Sequence, residues 1–270
     1  MLKDYAELSA NGDKVKVVSN FHTHNYLCGH AGGSVCDYVK EAVENGMSVL
    51  GISDHFVSPL GTYEPYIRHA TLDDEYLSQF VPAEKQYGDK IKILKAVEIE
   101  YFSGFDGYYK KLLAKLDYLV MGQHEFIMDG RQMNSFCDGD DERSILAYCD
   151  NVLGGLDSGY FSVLAHPDLI LYNRPEITPR VVAAFDRIVK TAKACGVAVE
   201  LNANGIRYHG FRYPTDMLVE LCKKYDAPVT VSSDAHDPKS LCDEYMRGLL
   251  AYTHAKGLNV VDMINLPAKK

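Results

Sequence analysis

Seven of the ten histidines in this chain fall in or beside five short motifs, and each motif directly follows an apolar run. The motifs are Asn20-Phe21-His22-Thr23-His24, Ser53-Asp54-His55, Gly122-Gln123-His124, Ala165-His166-Pro167 and Ser233-Asp234-Ala235-His236. The seventh histidine, His30, follows the first motif. A lone histidine is ordinarily a surface residue or a hydrogen-bonded core residue. A set at equivalent places is different, because imidazole and carboxylate clusters are the common ligands of Zn, Mn and Fe. His22 and His24 are two apart, so on an extended segment both point to one side and one ion can accept both nitrogens. Glu98 and Glu100 close the third apolar run on one face. A carboxylate can bridge two cations and a neutral imidazole cannot, so Glu98, directly after Ala96-Val97, is the expected bridge, with Glu100 as a supporting carboxylate. The candidate ligands are His22, His24, His30, His55, Glu98, His124, His166, Asp234 and His236. This set exceeds one tetrahedral ion and suits three divalent transition metals (Zn, Mn or Fe) that keep positions open for water and substrate. Two ions roughly 3.5–4 Å apart are a usual means of holding a nucleophile and clamping a phosphoryl group.

Such ligands must be brought together by elements that end at one place. Strand-like runs rich in β-branched residues occur at Val15–Asn20, Val49–Ser53, Ile91–Val97, Tyr118–Gly122, Ser162–Ala165, Val197–Leu201 and Val229–Ser233, as in parallel strands buried on both faces. Between them lie amphipathic segments of helical length: Ser34–Asn45, Thr71–Tyr87, Asp106–Lys115, Glu142–Leu153, Thr178–Ala194, Pro214–Lys224 and Leu241–Lys256. Ser34 and Thr71-x-x-Asp74 look like helix starts, and Pro179 and Pro214 fit first-turn positions. Seven strands with intervening helices predict a distorted (β/α)7 barrel with its active site at the C-terminal ends of the strands. An open doubly wound sheet could not bring ligands from so many strands to one point.

The chain of 270 residues is 47% hydrophobic and 24% charged, which suits one domain over residues 1–270 with a short extension at 1–14. A net charge of −9 argues against a nucleic-acid partner. No apolar run is long enough to span a membrane, and Met1–Asp13 lacks a signal-like apolar core. Seven cysteines without a Cys-x-x-Cys pair read as reduced, cytoplasmic thiols. Nothing in the composition fixes an oligomeric state.

The motif series, with Cys28-Gly29-His30-Ala31 and Val97-Glu98, resembles the polymerase and histidinol phosphatase (PHP) superfamily, and most of all its stand-alone histidinol-phosphate phosphatases. The resemblance runs from about Val17 to about His236. It implies a trinuclear site: His22, His24, Glu98 and Asp234 on the first metal, Glu98, His124 and His166 on the second, and His30, His55 and His236 on the third. The segment Glu200 to Arg207, followed by Tyr213-Pro214, is similar to that phosphatase branch, in which Arg207 would contact substrate phosphate. Arg68 occupies a similar place after the second strand. His209, close to Arg207, could face substrate.

The expected activity is hydrolysis of a small phosphomonoester, histidinol phosphate foremost. Metal-activated water would be the nucleophile, and Asp234 or His236 would protonate the leaving alkoxide. Competing readings are a phosphodiesterase or nuclease on the same metals, an amidohydrolase-type barrel and a metal-binding regulatory module. A nuclease needs a basic track, and the second alternative needs a lysine on the fourth strand. The module would be favoured by missing ligands. Asp54, Glu125 and Asp168 adjoin ligands and are candidates to orient them. Cys28 reads as packing, Tyr101 and Tyr208 as possible pocket walls, and Asp138–Glu142 as a solvated helix start.

Overall fold

The computed structural model describes residues 2–61, 72–173 and 177–268. Arg68 and Thr71 therefore lie outside the described residues. Seven parallel strands form a nearly closed barrel: β1 (Ser19–Asn20), β2 (Val49–Ile52), β3 (Lys92–Ile99), β4 (Tyr118–Met121), β7 (Val163–Leu164), β8 (Ala198–Asn202) and β9 (Val229–Ser232), each hydrogen-bonded to the next in that order. A hairpin of β5 (Glu125–Met128) and β6 (Arg131–Asn134) projects beyond β4. The helices are α1 (Tyr5–Leu8), α2 (Val35–Glu44), α3 (Phe80–Tyr87), α4 (Asp106–Leu113), α5 (Glu142–Ser158), α6 (Pro179–Cys195), α7 (Asn204–Arg207), α8 (Asp216–Tyr225) and α9 (Glu244–Ala255).

The distortion lies at the seam. Among the described residues the backbone bridge between β1 and β9 lies beyond their carboxyl ends, where Thr23 bridges Ala235 and the His24 amide donates to the Ala235 carbonyl at 3.0 Å. At the amino end β9 turns to the C-terminal segment instead, with Val229 bridging Val260. The seam is thus closed where the metal motifs stand. The expected strand over Val15–Asn20 is reduced to Ser19–Asn20, since β2 begins only at Val49, whose partner is Ser19.

Alternation along each strand decides what faces inward. Leu94 and Ala96 of β3, Tyr118 and Val120 of β4, Val163 and Ala165 at β7, and Ala198 of β8 fill the barrel interior with Phe21 and Ile264. Their neighbours Val97, Ile99, Leu119, Met121, Val199 and Leu201 pack outward against the helices. Each such buried side chain contributes about 1.5–3 kcal/mol relative to exposure. The Tyr118 hydroxyl crosses the interior to donate to the Phe21 carbonyl at 2.7 Å. It passes over Gly51, where a Cβ would meet it at 1.9 Å. The same inward register continues upward into polar residues: Glu98 and Glu100 above Ala96, and Glu200 and Asn202 above Ala198. The fold therefore sets a polar chamber on an apolar barrel.

The helix starts follow their capping residues. Ser34 and Asp37 form a capping box on α2, Thr178 caps α6 with Pro179 in its first turn, and Asp141 caps α5 as a solvated start. Pro214 is not in the first turn of α8: Thr215 is the cap, so Pro214 precedes it. After Leu72 the chain runs through a π turn and a 3₁₀ turn before α3 begins at Phe80. The extension at the N-terminus is docked, with Tyr5 edge-on to Phe211 at 5.2 Å and beside Tyr252 at 5.5 Å. All seven cysteines are free thiols. Among the described residues no helix is long and apolar enough to cross a membrane.

Candidate metal centre

Glu98 stands at the middle of the chamber, fully buried, with five imidazoles around its carboxylate. Oε1 faces His166 Nε2 at 3.0 Å and His124 Nε2 at 3.5 Å. Oε2 faces His55 Nδ1 at 2.9 Å, His22 Nε2 at 3.4 Å and His24 Nε2 at 3.7 Å. The two oxygens thus address two separate sets of histidines, which is the arrangement of a bridge. Asp234 supplies the second carboxylate, with Oδ1 at 3.0 Å from His24 Nε2 and 3.6 Å from His22 Nε2. At the mouth, His30 and His236 bring their Nε2 atoms to 3.0 Å, and His55 groups with them. The floor of His22, His24, Glu98, His166 and Asp234 is buried, while His30, His55, His124 and His236 reach toward solvent.

The outer nitrogens are fixed by a second layer of groups. His22 Nδ1 pairs with Glu200 Oε1 at 2.8 Å, His24 Nδ1 with Asp54 Oδ1 at 3.2 Å, and His124 Nδ1 with Glu100 Oε1 at 3.2 Å. Carbonyls serve the others: His30 Nδ1 donates to Cys28 and His236 Nδ1 to Asp234, each at 3.0 Å. A protonated Nδ1 held outside leaves Nε2 as a lone-pair donor facing the centre. Asp54 and Glu100 were expected in this role, and Glu200 was not. Glu200 does more than either, since its Oε2 also accepts from the His166 amide and Asn202 Nδ2, both at 2.9 Å.

These residues fit bound cations. Glu98 Oε2 and Asp234 Oδ1 are buried and lack an aligned hydrogen bond, although nitrogens lie within contact distance. His22 and His24 point their Nε2 atoms at one another across 3.1 Å. Ligands on one tetrahedral ion with bonds of about 2.0–2.1 Å stand roughly 3.3 Å apart. The electrostatics agree. Burial alone would raise the Glu98 pKa, but the imidazoles of His124, His22, His55 and His166 hold it well below the carboxylate range. Burial likewise opposes charge on His22, yet Glu200, Asp234 and Glu98 raise it well above the imidazole range. His24 is pushed up to about 9, because Asp234 and Asp54 outweigh burial. The floor therefore favours positive charge, supplied by imidazolium or by a divalent cation. His166 and Asp234 both adopt left-handed backbone, with φ of 27° and 47°. Strain of this kind in non-glycine residues collects at functional sites.

Two expected roles meet a different geometry. Asp234 is held well below the carboxylate range, since His22, His24 and His236 overcome the effect of burial. His236 is pushed down to about 3, first by burial and then by His24. These shifts hold Asp234 toward the carboxylate and His236 toward the neutral imidazole, the forms that bind a cation. Arg207 is also committed elsewhere. Its Nε and Nη2 grip Asp243 at 2.6 and 2.8 Å, Nη2 reaches the Ser240 carbonyl at 3.1 Å, and Nη1 donates to Asn204 Oδ1 at 2.7 Å and the Ser233 carbonyl at 3.0 Å. A guanidinium has five N–H donors, and these bonds use all of them, leaving none for a substrate phosphate.

His209 does stand by the centre, within a run of rings. Phe136 lies parallel to His124 at 6.4 Å, His209 lies 6.1 Å from Phe136 and 5.5 Å from Tyr213, and Tyr213 lies 6.1 Å from His166. Tyr172 closes the group at 5.5 Å from His209. Tyr101 instead packs on Tyr109 and Phe161, and Tyr208 is exposed. Cys28 is buried beside His24 and His236, and burial raises its thiol to about 12.

A barrel with buried histidines and carboxylates converging on a bridging glutamate defines a metal-dependent hydrolase. A PHP domain matches residues 20–204, more than half of the chain. The sequence is 26% identical over 226 residues to a protein named probable phosphatase from Acetivibrio thermocellus, covering 82% of this chain and 80% of that one. It is 26% identical over 224 residues to a probable histidinol-phosphatase from Deinococcus radiodurans, covering 80% and 85%. A histidinol phosphate phosphatase from Lactococcus lactis, solved with zinc, L-histidinol and phosphate, shares the fold with a TM-score of 0.71 at 15% identity, over 92% of this chain and 98% of that one. The chain belongs to the PHP family, as a metal-binding hydrolase of its phosphatase branch.

Proposed function

We propose that this enzyme hydrolyses L-histidinol phosphate to L-histidinol and phosphate, a step of histidine biosynthesis, at a centre of three divalent metals. The observation that carries the reading is the Glu98 carboxylate, whose two oxygens face two separate sets of imidazoles. His22, His24, Glu98 and Asp234 would hold one ion, Glu98, His124 and His166 a second, and His30, His55 and His236 a third. His55 also lies against Glu98, so it stands between the first and third groups. Zn, Mn and Fe all suit such ligands. When bound, such ions lower the pKa of water toward ~7 and offset charge on phosphoryl oxygens.

The chain's own residues do the rest. Glu200, Asp54 and Glu100 orient three imidazoles so that each presents Nε2 inward. The buried floor excludes bulk water from one side, and the exposed mouth admits a small ester. The rings of Phe136, His209 and Tyr213 form an aromatic wall beside His124 and His166. Burial lowers the His209 pKa, which favours the neutral ring, and that ring can stack on the imidazole of histidinol. Support for this substrate comes from that wall and from the names of the relatives. The net charge of −9 favours a small monoester over a polynucleotide.

The test is Glu98→Gln, which keeps the shape and removes the bridging charge. The purified variant should lose at least one metal equivalent and most of its monoesterase activity, while retaining the wild-type circular dichroism spectrum. Wild-type metal content and activity would remove Glu98 from the centre.

A further inference from the structure

We propose that Arg207 is a positioning residue that locks the Ser233–Ser240 loop, and with it the ligands Asp234 and His236, rather than a residue that grips substrate phosphate. This rests on the reading of Asp234 and His236 as metal ligands. The guanidinium ties together three places in the chain. It holds the Ser233 carbonyl immediately before Asp234, the Ser240 carbonyl four residues after His236, and the Asp243 carboxylate at the start of α9. Its side chain is 5% exposed. The rings of Tyr208 and Tyr245 each lie 5.7 Å from it.

The link to the ligands runs through Asn204. Its Oδ1 accepts from Arg207 Nη1, and its Nδ2 donates to the Asp234 carbonyl at 2.8 Å. That same carbonyl accepts from His236 Nδ1 at 3.0 Å, which turns His236 Nε2 toward His30. Asn202 Nδ2 meanwhile holds Asp234 Oδ2 at 3.1 Å, leaving Oδ1 to face His24. Asp234 adopts a left-handed backbone with φ of 47°, which turns the chain sharply between its strand and His236. Arg207 holds the chain on both sides of that turn. A phosphate grip would require the guanidinium to abandon Asp243, a partly buried charge pair made bidentately, and to release two carbonyls.

The two roles separate in experiment. Full-length protein stripped by chelator is titrated with Zn²⁺, and kcat and KM are measured on the metal-loaded form with histidinol phosphate. Arg207→Met should weaken binding of two Zn²⁺ ions, the one held through Asp234 and the one held through His236, by about 10–100-fold. Binding at Glu98, His124 and His166 should stay, and KM should remain within about twofold once metal is saturating, because a group that does not touch substrate adds no uniform binding. Asp243→Asn keeps the cap acceptor of α9 but removes the charge, so it should shift Zn²⁺ binding in the same direction. Arg207→Lys should fail to rescue, since one ammonium cannot replace a five-donor fork. A KM raised tenfold or more with unchanged Zn²⁺ binding would overturn the proposal in favour of a phosphate grip, and so would wild-type Zn²⁺ binding in Asp243→Asn. Uniform weakening at every ion in Asp243→Asn would overturn it as a general packing effect. Predicted Zn²⁺ shifts without monoester turnover would support the clamp and count against the substrate reading alone.

Discussion

The carboxylate of Glu98 lies in the space that a side chain at Gly122 would need: a Cβ there would come within 2.0 Å of Glu98 Oε1 and 2.5 Å of its Cδ. Gly122 follows Val120 on the inward face of β4, so its missing side chain leaves the opening through which β3 delivers the bridge. In Gly122→Ala the clash extends to Glu98 Cγ at 2.6 Å, so the buried carboxylate arm must swing away from the imidazoles around it. The variant should therefore melt below wild type and lose metal and at least ~100-fold in kcat, as expected when a positioned charge is displaced. Thermal melts beside metal analysis check this. Retained metal and activity would mean that Glu98 has another usable rotamer.

The aromatic wall predicts discrimination. Phe136→Ala and His209→Ala remove stacking partners without replacing a proposed ligand of the metals. Each should raise KM for histidinol phosphate by roughly 3–10-fold, from a stacking contribution of about 0.5–1.5 kcal/mol. Neither should change KM for a small aliphatic phosphate. Steady-state kinetics on both esters checks it, and equal effects on the two would remove the wall from the recognition of the alcohol.

A third prediction concerns pH and α2. The Ser34 amide and hydroxyl both donate to Asp37 Oδ2, at 2.7 and 2.6 Å. These bonds lower the Asp37 pKa below its ordinary 3.8. A depressed carboxylate stabilises the fold fully above the unfolded pKa and loses that contribution as pH falls through the folded value. Because the group is exposed, the effect is small, about 0.5–1 kcal/mol for a capping interaction. Asp37→Ala should thus be less stable than wild type by a constant margin from pH 7 to pH 5, with the margin narrowing below pH 4. Urea midpoints across that range measure it.

Much of this centre was legible because strand periodicity and ligand chemistry point the same way. His22, His24, His55, His124, His166, Asp234 and His236 each follow an apolar run that proved to be a strand of the barrel, and Glu98 proved to be its central carboxylate. Glu200 was missed although it lies within such a run. The run could be read either way up, and only the inward placement of Ala198 shows that Glu200 shares its face. The β5–β6 hairpin was missed because Glu125–Asn134 mixes polar and apolar residues, and its pairing depends on a tight turn at Asp129-Gly130, where both residues have positive φ. The partners of Arg207 were hidden for a different reason. Its proximity to strand-end ligands is visible in sequence, but its partner Asp243 lies 36 residues further on. Pairing at that separation is a property of the fold.

The central claim is tested most directly by kcat/KM on one metal-analysed preparation, for L-histidinol phosphate, an aryl phosphate and a phosphodiester. The proposed centre predicts two to three transition-metal equivalents, an order-of-magnitude count from about three or four protein ligands per ion. It also predicts a kcat/KM for histidinol phosphate at least ~10-fold above the aryl ester, through binding energy from the alcohol part, and higher still relative to the diester. Full activity in metal-free protein, or faster turnover of the phosphodiester, would contradict it.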